Sequence, residues 1–373
     1  MNGIESPEDG PSPDRFGHLF RVYEVRTEGD RLLYYGEPLV DRERLIEEVW
    51  PDFRAAGYEI RLTRRTGEFV LVAEPRSEGV DGIPWTNVVL AVATVLTTLY
   101  AGSIWYQADL AADPLNVLQG WPFALGIMTV LGVHEMGHYV MSRYHDVEAT
   151  LPYFIPIPTF IGTLGAVIRM KGRMPSRKAL FDIGVAGPLA GIVATLVVTT
   201  IGLYLDPVTI PESVMNSQNA VEIQFGYPLL LEFLSWATGQ PLRYEAANKA
   251  VNPVVIAGWV GMFVTFLNLI PVGQLDGGHV VRAILGRQQE RIALVVPALL
   301  FGLAGYLYYV EDVAGNAVFL WVFWGLFASV FAFVGAATPV QDESLDLRRK
   351  LVGVLTLLVG ILCFHPIPIQ IVG

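Results

Sequence analysis

Cysteine is nearly missing: Cys363 is the single one in 373 residues. That excludes an intramolecular disulfide and any cysteine-rich metal site. Charge is scarce as well, at 16% Asp, Glu, Lys and Arg, where soluble domains carry about 25%. The charge present runs acidic, with 25 basic against 36 acidic residues and a formal net charge of −11. A phosphate backbone is bound by clustered Lys and Arg, so no nucleic acid is expected as a partner. An apolar leader is also lacking. The opening "MNGIESPEDGPSPD" is polar, acidic and Pro-rich, and it predicts no cleavable signal peptide.

Apolar residues make up the balance, at 53% of the chain with a mean hydropathy of +0.45. They are unevenly placed. Residues 1–15 read as a disordered tail, and residues 16–82 as a small soluble α/β domain followed by a linker. Within that domain "LFRVYEVRT" and "RLLYYGEPL" alternate like strands. "DRERLIEEVWPDFRAAG" has helical spacing at Leu45, Ile46, Val49 and Phe53, with Gly57 placed to end it, and "YEIRLTRRTGEFVLVAEP" reads as a hairpin. The linker is "RSEGVDGIP".

Residues 83–373 read as membrane-embedded. A spanning helix needs about 20 apolar residues. Seven runs qualify: 86–106, 121–142, 181–205, 252–271, 292–310, 316–337 and 351–371, the last broken by "HPIPIQ". The expected fold is thus a polytopic α-helical membrane protein of six to seven helices behind an N-terminal α/β domain. Basic residues gather in alternate connections: Arg143, Arg169, Lys171, Arg173, Arg177 and Lys178, then Arg282, Arg287 and Arg291, then "RRK" at 348–350. By the positive-inside rule these loops and the N-terminal domain face the cytoplasm of a multi-pass protein of the cell membrane.

Inside the second run lies "LGVHEMGHYV", residues 131–140. Ionisable groups in a spanning segment are costly and usually mark function. The spacing of His134 and His138 puts both imidazoles on one helix face, one turn apart, where they can share a zinc ion. Glu135, beside the first of them, can reach a water on the metal's open position and relay its proton to a leaving amine. A catalytic zinc wants a third protein ligand. The stretch "FLNLIPVGQLDGGHV", residues 266–280, offers Asp276 and His279, either of which could supply it. Asp276 would lower the net charge of the site, and Asn268 is placed to hydrogen-bond a carbonyl. A metal transporter would instead spread polar groups along several helices and show internal repeats; here they converge on one spot.

Three motifs together, HExxH in a second membrane helix, "AGPLAG" at 186–191 and "NLIPVGQLDGGH" at 268–279, resemble the site-2 protease family of intramembrane zinc metalloproteases. "PSRKALFDIGVAGPLAG" is similar to its archaeal, cyanobacterial and chloroplast branch, and the likeness covers roughly residues 85–340. The resemblance implies that His134, His138 and Asp276 bind one Zn2+, that Glu135 activates water, and that Asn268 lies near the scissile carbonyl. It implies a membrane-protein substrate, cut in or beside a transmembrane helix. No loop here is long enough for the PDZ domain many bacterial members carry. "GPLAG" reads as close helix packing. In "TLPYFIPIPTFIGTLGAVIRM", Pro152, Pro156 and Pro158 forbid a helix, while Ile155, Ile157, Thr159, Ile161 and Thr163 favour an extended chain. A re-entrant β-hairpin with an edge for substrate is expected there, and the family implies the same element.

Overall fold

A computed structural model describes residues 10–65, 67–76, 82–216 and 222–372. The chain divides into two compact units. One takes in the residues up to Ile83 together with 171–176 and 338–342, and the other takes in the rest.

The first unit is built on a four-stranded antiparallel sheet. Strands β1 (Phe20–Glu28), β2 (Arg31–Pro38), β3 (Tyr58–Arg65) and β4 (Glu68–Pro75) lie in the order β1-β2-β4-β3. Helix α1 (Arg42–Ala55) starts where Asp41 accepts the Arg44 amide at 3.0 Å, and it stops at Gly57, whose φ is +86°. Leu45, Ile46, Val49, Trp50 and Phe53 of α1 pack with Phe16, Phe20, Tyr34 and Leu71 in one core. Alternate residues Leu33, Tyr35, Val70 and Val72 form a second cluster, as the period of a strand requires. Part of the expected disordered tail is ordered: Pro13 is buried and Pro11 accepts a 3.0 Å hydrogen bond from Tyr34. Burial raises the Tyr34 phenol well above its ordinary pKa, which keeps that donor protonated. Residues 1–9 of the tail and 77–81 of the linker lie outside the described residues.

The second unit begins with α2 (Trp85–Trp105) and α3 (Trp121–Tyr144). After the short β5 (Glu148–Ala149), strands β6 (Tyr153–Pro156) and β7 (Thr163–Val167) pair antiparallel, Phe154 opposite Ala166. β6 ends at Pro156, earlier than the β-branched run suggests. Pro156 and Pro158 carry no N–H for a ladder, and Ile157 and Thr159 donate within the turn, to Gly162 and Ile157 at 3.3 and 2.9 Å. Beyond β8 (Met170–Lys171) and β9 (Met174–Ser176) runs α4 (Arg177–Tyr204). The next connection holds β10 (Val208–Thr209), α5 (Glu212–Met215), β11 (Glu222–Phe225), the apolar ten-residue α6 (Leu229–Thr238) and β12 (Lys249–Ala250).

Then come α7 (Pro253–Asn268), α8 (Asp276–Leu285), α9 (Gln288–Tyr309) and α10 (Gly315–Val334), followed by β13 (Pro339–Gln341), α11 (Leu347–Leu362) and β14 (Ile369–Val372). Asn252 caps α7 through the Val254 amide at 3.0 Å and also accepts from Tyr106 of the α2 end at 2.9 Å. β14 pairs with β11, and β13 runs parallel to β9 inside the first unit. Among the described residues, five helices are long and apolar enough to cross a membrane: α2, α3, α4, α9 and α10. Two of the seven expected runs are 16-residue helices instead. α7 is halted by the turn through Pro271 and Gly273, and α11 by Pro366 and Pro368.

Candidate metal centre

The centre forms where α3, α4 and the α7–α8 turn meet. His134 and His138 project from one face of α3, with their Nε2 atoms 3.2 Å apart. Asp276 is the first residue of α8. One of its oxygens lies 3.3 Å from His134 Nε2 and the other 3.2 Å from His138 Nε2. These are the three residues whose ligand atoms cluster among the described residues. Donors about 2.0–2.1 Å from a tetrahedral zinc stand roughly 3.3 Å from each other, so the spacing fits.

Protonation logic points the same way. His138 Nδ1 lies 2.8 Å from the Ile183 carbonyl of α4, so it carries the proton and leaves the Nε2 lone pair aimed at the centre. The amide of Asn268, the last residue of α7, sits 3.2 Å from His134 Nε2. Glu135 is 5% exposed, and the main-chain amide of Ile168, just past β7, lies near its carboxylate. His279, 4% exposed, lies outside the three-residue group; it packs against Gly184 of α4, and its Nδ1 has no hydrogen-bond partner among the described residues.

The broken chain before Asp276 is what delivers it. Gly273 has φ +48° and lies against the Phe331 carbonyl, and Gly277 lies against the Leu269 carbonyl. Side chains at either place would push the turn away from the site.

"GPLAG" packs close, as its small residues suggest, but sequence reading did not say against what. Its two glycines face the imidazoles: a Cβ on Gly187 would run into the His138 ring, and one on Gly191 would stand 2.7 Å from His134 Nδ1. The signal was present as a spacing of four on both helices, matching one ring to one glycine. Asp182, which opens this stretch of α4, pairs with Arg349 of α11 at 2.8 and 2.9 Å and with His145 at 3.0 Å. That ties the end of α3, the start of α4 and α11 together one residue from the Ile183 carbonyl.

Residues 122–303 match the profile described as Peptidase family M50. The chain is 34% identical over 284 residues to "Probable zinc metalloprotease EGY1, chloroplastic" of Arabidopsis thaliana, covering 74% of this chain and 50% of the relative. It is 32% identical over 277 residues to "Probable zinc metalloprotease EGY2, chloroplastic" of the same plant, covering 72% and 46%. This chain is a site-2 protease family member. With its apolar helices it is a polytopic helical membrane protein. The chain spans about half the length of these two curated relatives. No solved structure matches it.

Proposed function

We propose that this protein is an intramembrane zinc metalloendopeptidase that hydrolyses a peptide bond in or beside a transmembrane segment of a membrane-protein substrate. The observation that carries the reading is the convergence of three zinc-type donors, 3.2–3.3 Å apart, beside a buried glutamate on the same helix. His134, His138 and Asp276 would hold the ion. Zinc, when bound, supplies a Lewis acid that makes water a better nucleophile and polarises a carbonyl. Glu135 takes the proton from the attacking water and returns it to the amine of the leaving chain. The Asn268 amide donates to the substrate carbonyl oxygen as charge builds there.

The segment 151–167 is re-entrant in this reading, and the outer edge of β7 receives the substrate as an added strand. Support comes from the packing of β7 against α3, which brings the Ile168 amide near the Glu135 carboxylate. The N-terminal α/β domain and the basic connections face the cytoplasm, in a cell membrane.

The test uses purified protein in lipid nanodiscs with a single-span reporter polypeptide. Cleavage should stop when a zinc chelator strips the protein and return when zinc is added back. Cleavage that survives full metal removal would contradict the reading.

A further inference from the structure

Helix α2 contributes nothing to the metal centre, yet three of its polar side chains reach one and the same segment, residues 151–162. Asn87 donates to the carbonyls of Leu151 and Pro152 at 2.8 and 3.0 Å. Thr97 donates to the Gly162 carbonyl at 2.6 Å. Trp105 donates its indole N–H to the Phe160 carbonyl at 2.7 Å. Asn87 and Trp105 lie on the stripe that carries Thr94, Thr98 and Ala101, at spacings of seven, four, three and four.

Asn87 and Trp105 are separated by about 27 Å of helix. Leu151, β6 and the turn as far as Phe160 run alongside that length of helix. Each bonded carbonyl is a main-chain group that hydrocarbon would leave unsatisfied. A second contact fixes the turn. Gly162, at φ +83°, presses on the α2 backbone so closely that a Cβ would stand 2.6 Å from Thr98 Cα. β6 is therefore held against α2 just ahead of its first residue and in the turn that follows it, while its partner β7 packs against α3.

We propose that Asn87, Thr97 and Trp105 are positioning residues that set the register of the β6–β7 hairpin and so choose which peptide bond of an added substrate strand meets Glu135. The proposal rests on the strand-addition reading above. Sliding the hairpin along α2 moves the substrate strand with it. A weakened anchor therefore blurs the cleavage site, which a merely structural weakening does not do.

The experiment compares Thr97→Val, Trp105→Phe and the double variant with the parent in nanodiscs, using one single-span reporter. Product masses, KM, kcat and zinc content are measured together. Thr97→Val keeps the shape and removes the donor. KM should rise about 2- to 10-fold per lost bond, the weight of one net hydrogen bond, with a second product cut at a neighbouring bond. Zinc content should stay at the parent level, and Thr97→Ser should restore the single product. Parent-like KM and a single parent product in the double variant would overturn the proposal. Ala166→Pro and Val167→Pro, one on each alternating set of β7 amides, report on the underlying reading. Reduced cleavage in at least one, while the double α2 variant behaves as parent, removes the register proposal alone. Parent-like cleavage in both removes strand addition and the register proposal with it.

Discussion

Gly187 and Gly191 stand where any side chain would displace an imidazole, so the smallest possible change tests the centre from behind. Gly187→Ala forces the His138 ring off the Ile183 carbonyl. Zinc affinity should fall roughly 10- to 100-fold, as when a ligand's supporting contact is lost; metal titration of the purified variant checks it, and parent affinity would mean that the ring is not held from that side. The third ligand is tested separately. Asp276 reaches both histidines, whereas His279 lies outside their group. Asp276→Ala should lose most bound zinc and all cleavage, and His279→Ala should keep its zinc. Full zinc in the first variant with loss in the second would reverse the assignment.

At the scale of elements, a helix, a turn and a hairpin meet at one point. Proline in β7 removes one amide from the strand, and the variants Ala166→Pro and Val167→Pro should lower cleavage in at least one case without releasing zinc. The periodicity of the sequence was enough to place His134 and His138 on one face, because an i,i+4 pair is a local property of any helix. Local chemistry also marked the broken stretch from Pro271 to Gly278. What lay beyond it was tertiary. Only the packing of α3 on α4 shows that Gly187 and Gly191 face the rings. Asn87 and Thr97, polar residues in an apolar run, gave no hint of their partners some 65 positions away. Ile157 and Thr159 looked like edge donors by residue type, yet the turn uses both amides internally. Helix lengths were overread for a related reason: hydropathy continues through Leu269 and Ile270, but the chain has already turned.

For the whole molecule, the orientation of the spans is the prediction that the basic connections make. With Cys363→Ala as background, Glu222→Cys and Glu343→Cys place thiols at exposed positions in two different connections. An impermeant reagent on intact cells should label position 222, and position 343 only after lysis; the opposite pattern would invert the topology. The account as a whole depends on a metal-holding site and a separate proton-moving group, and Glu135→Gln divides the two. The amide nearly preserves size and leaves His134, His138 and Asp276 untouched. One measurement decides it, zinc content and reporter cleavage read on the same purified preparation. The account predicts one zinc per chain and no cleavage, and cleavage at the parent rate with zinc bound would contradict it.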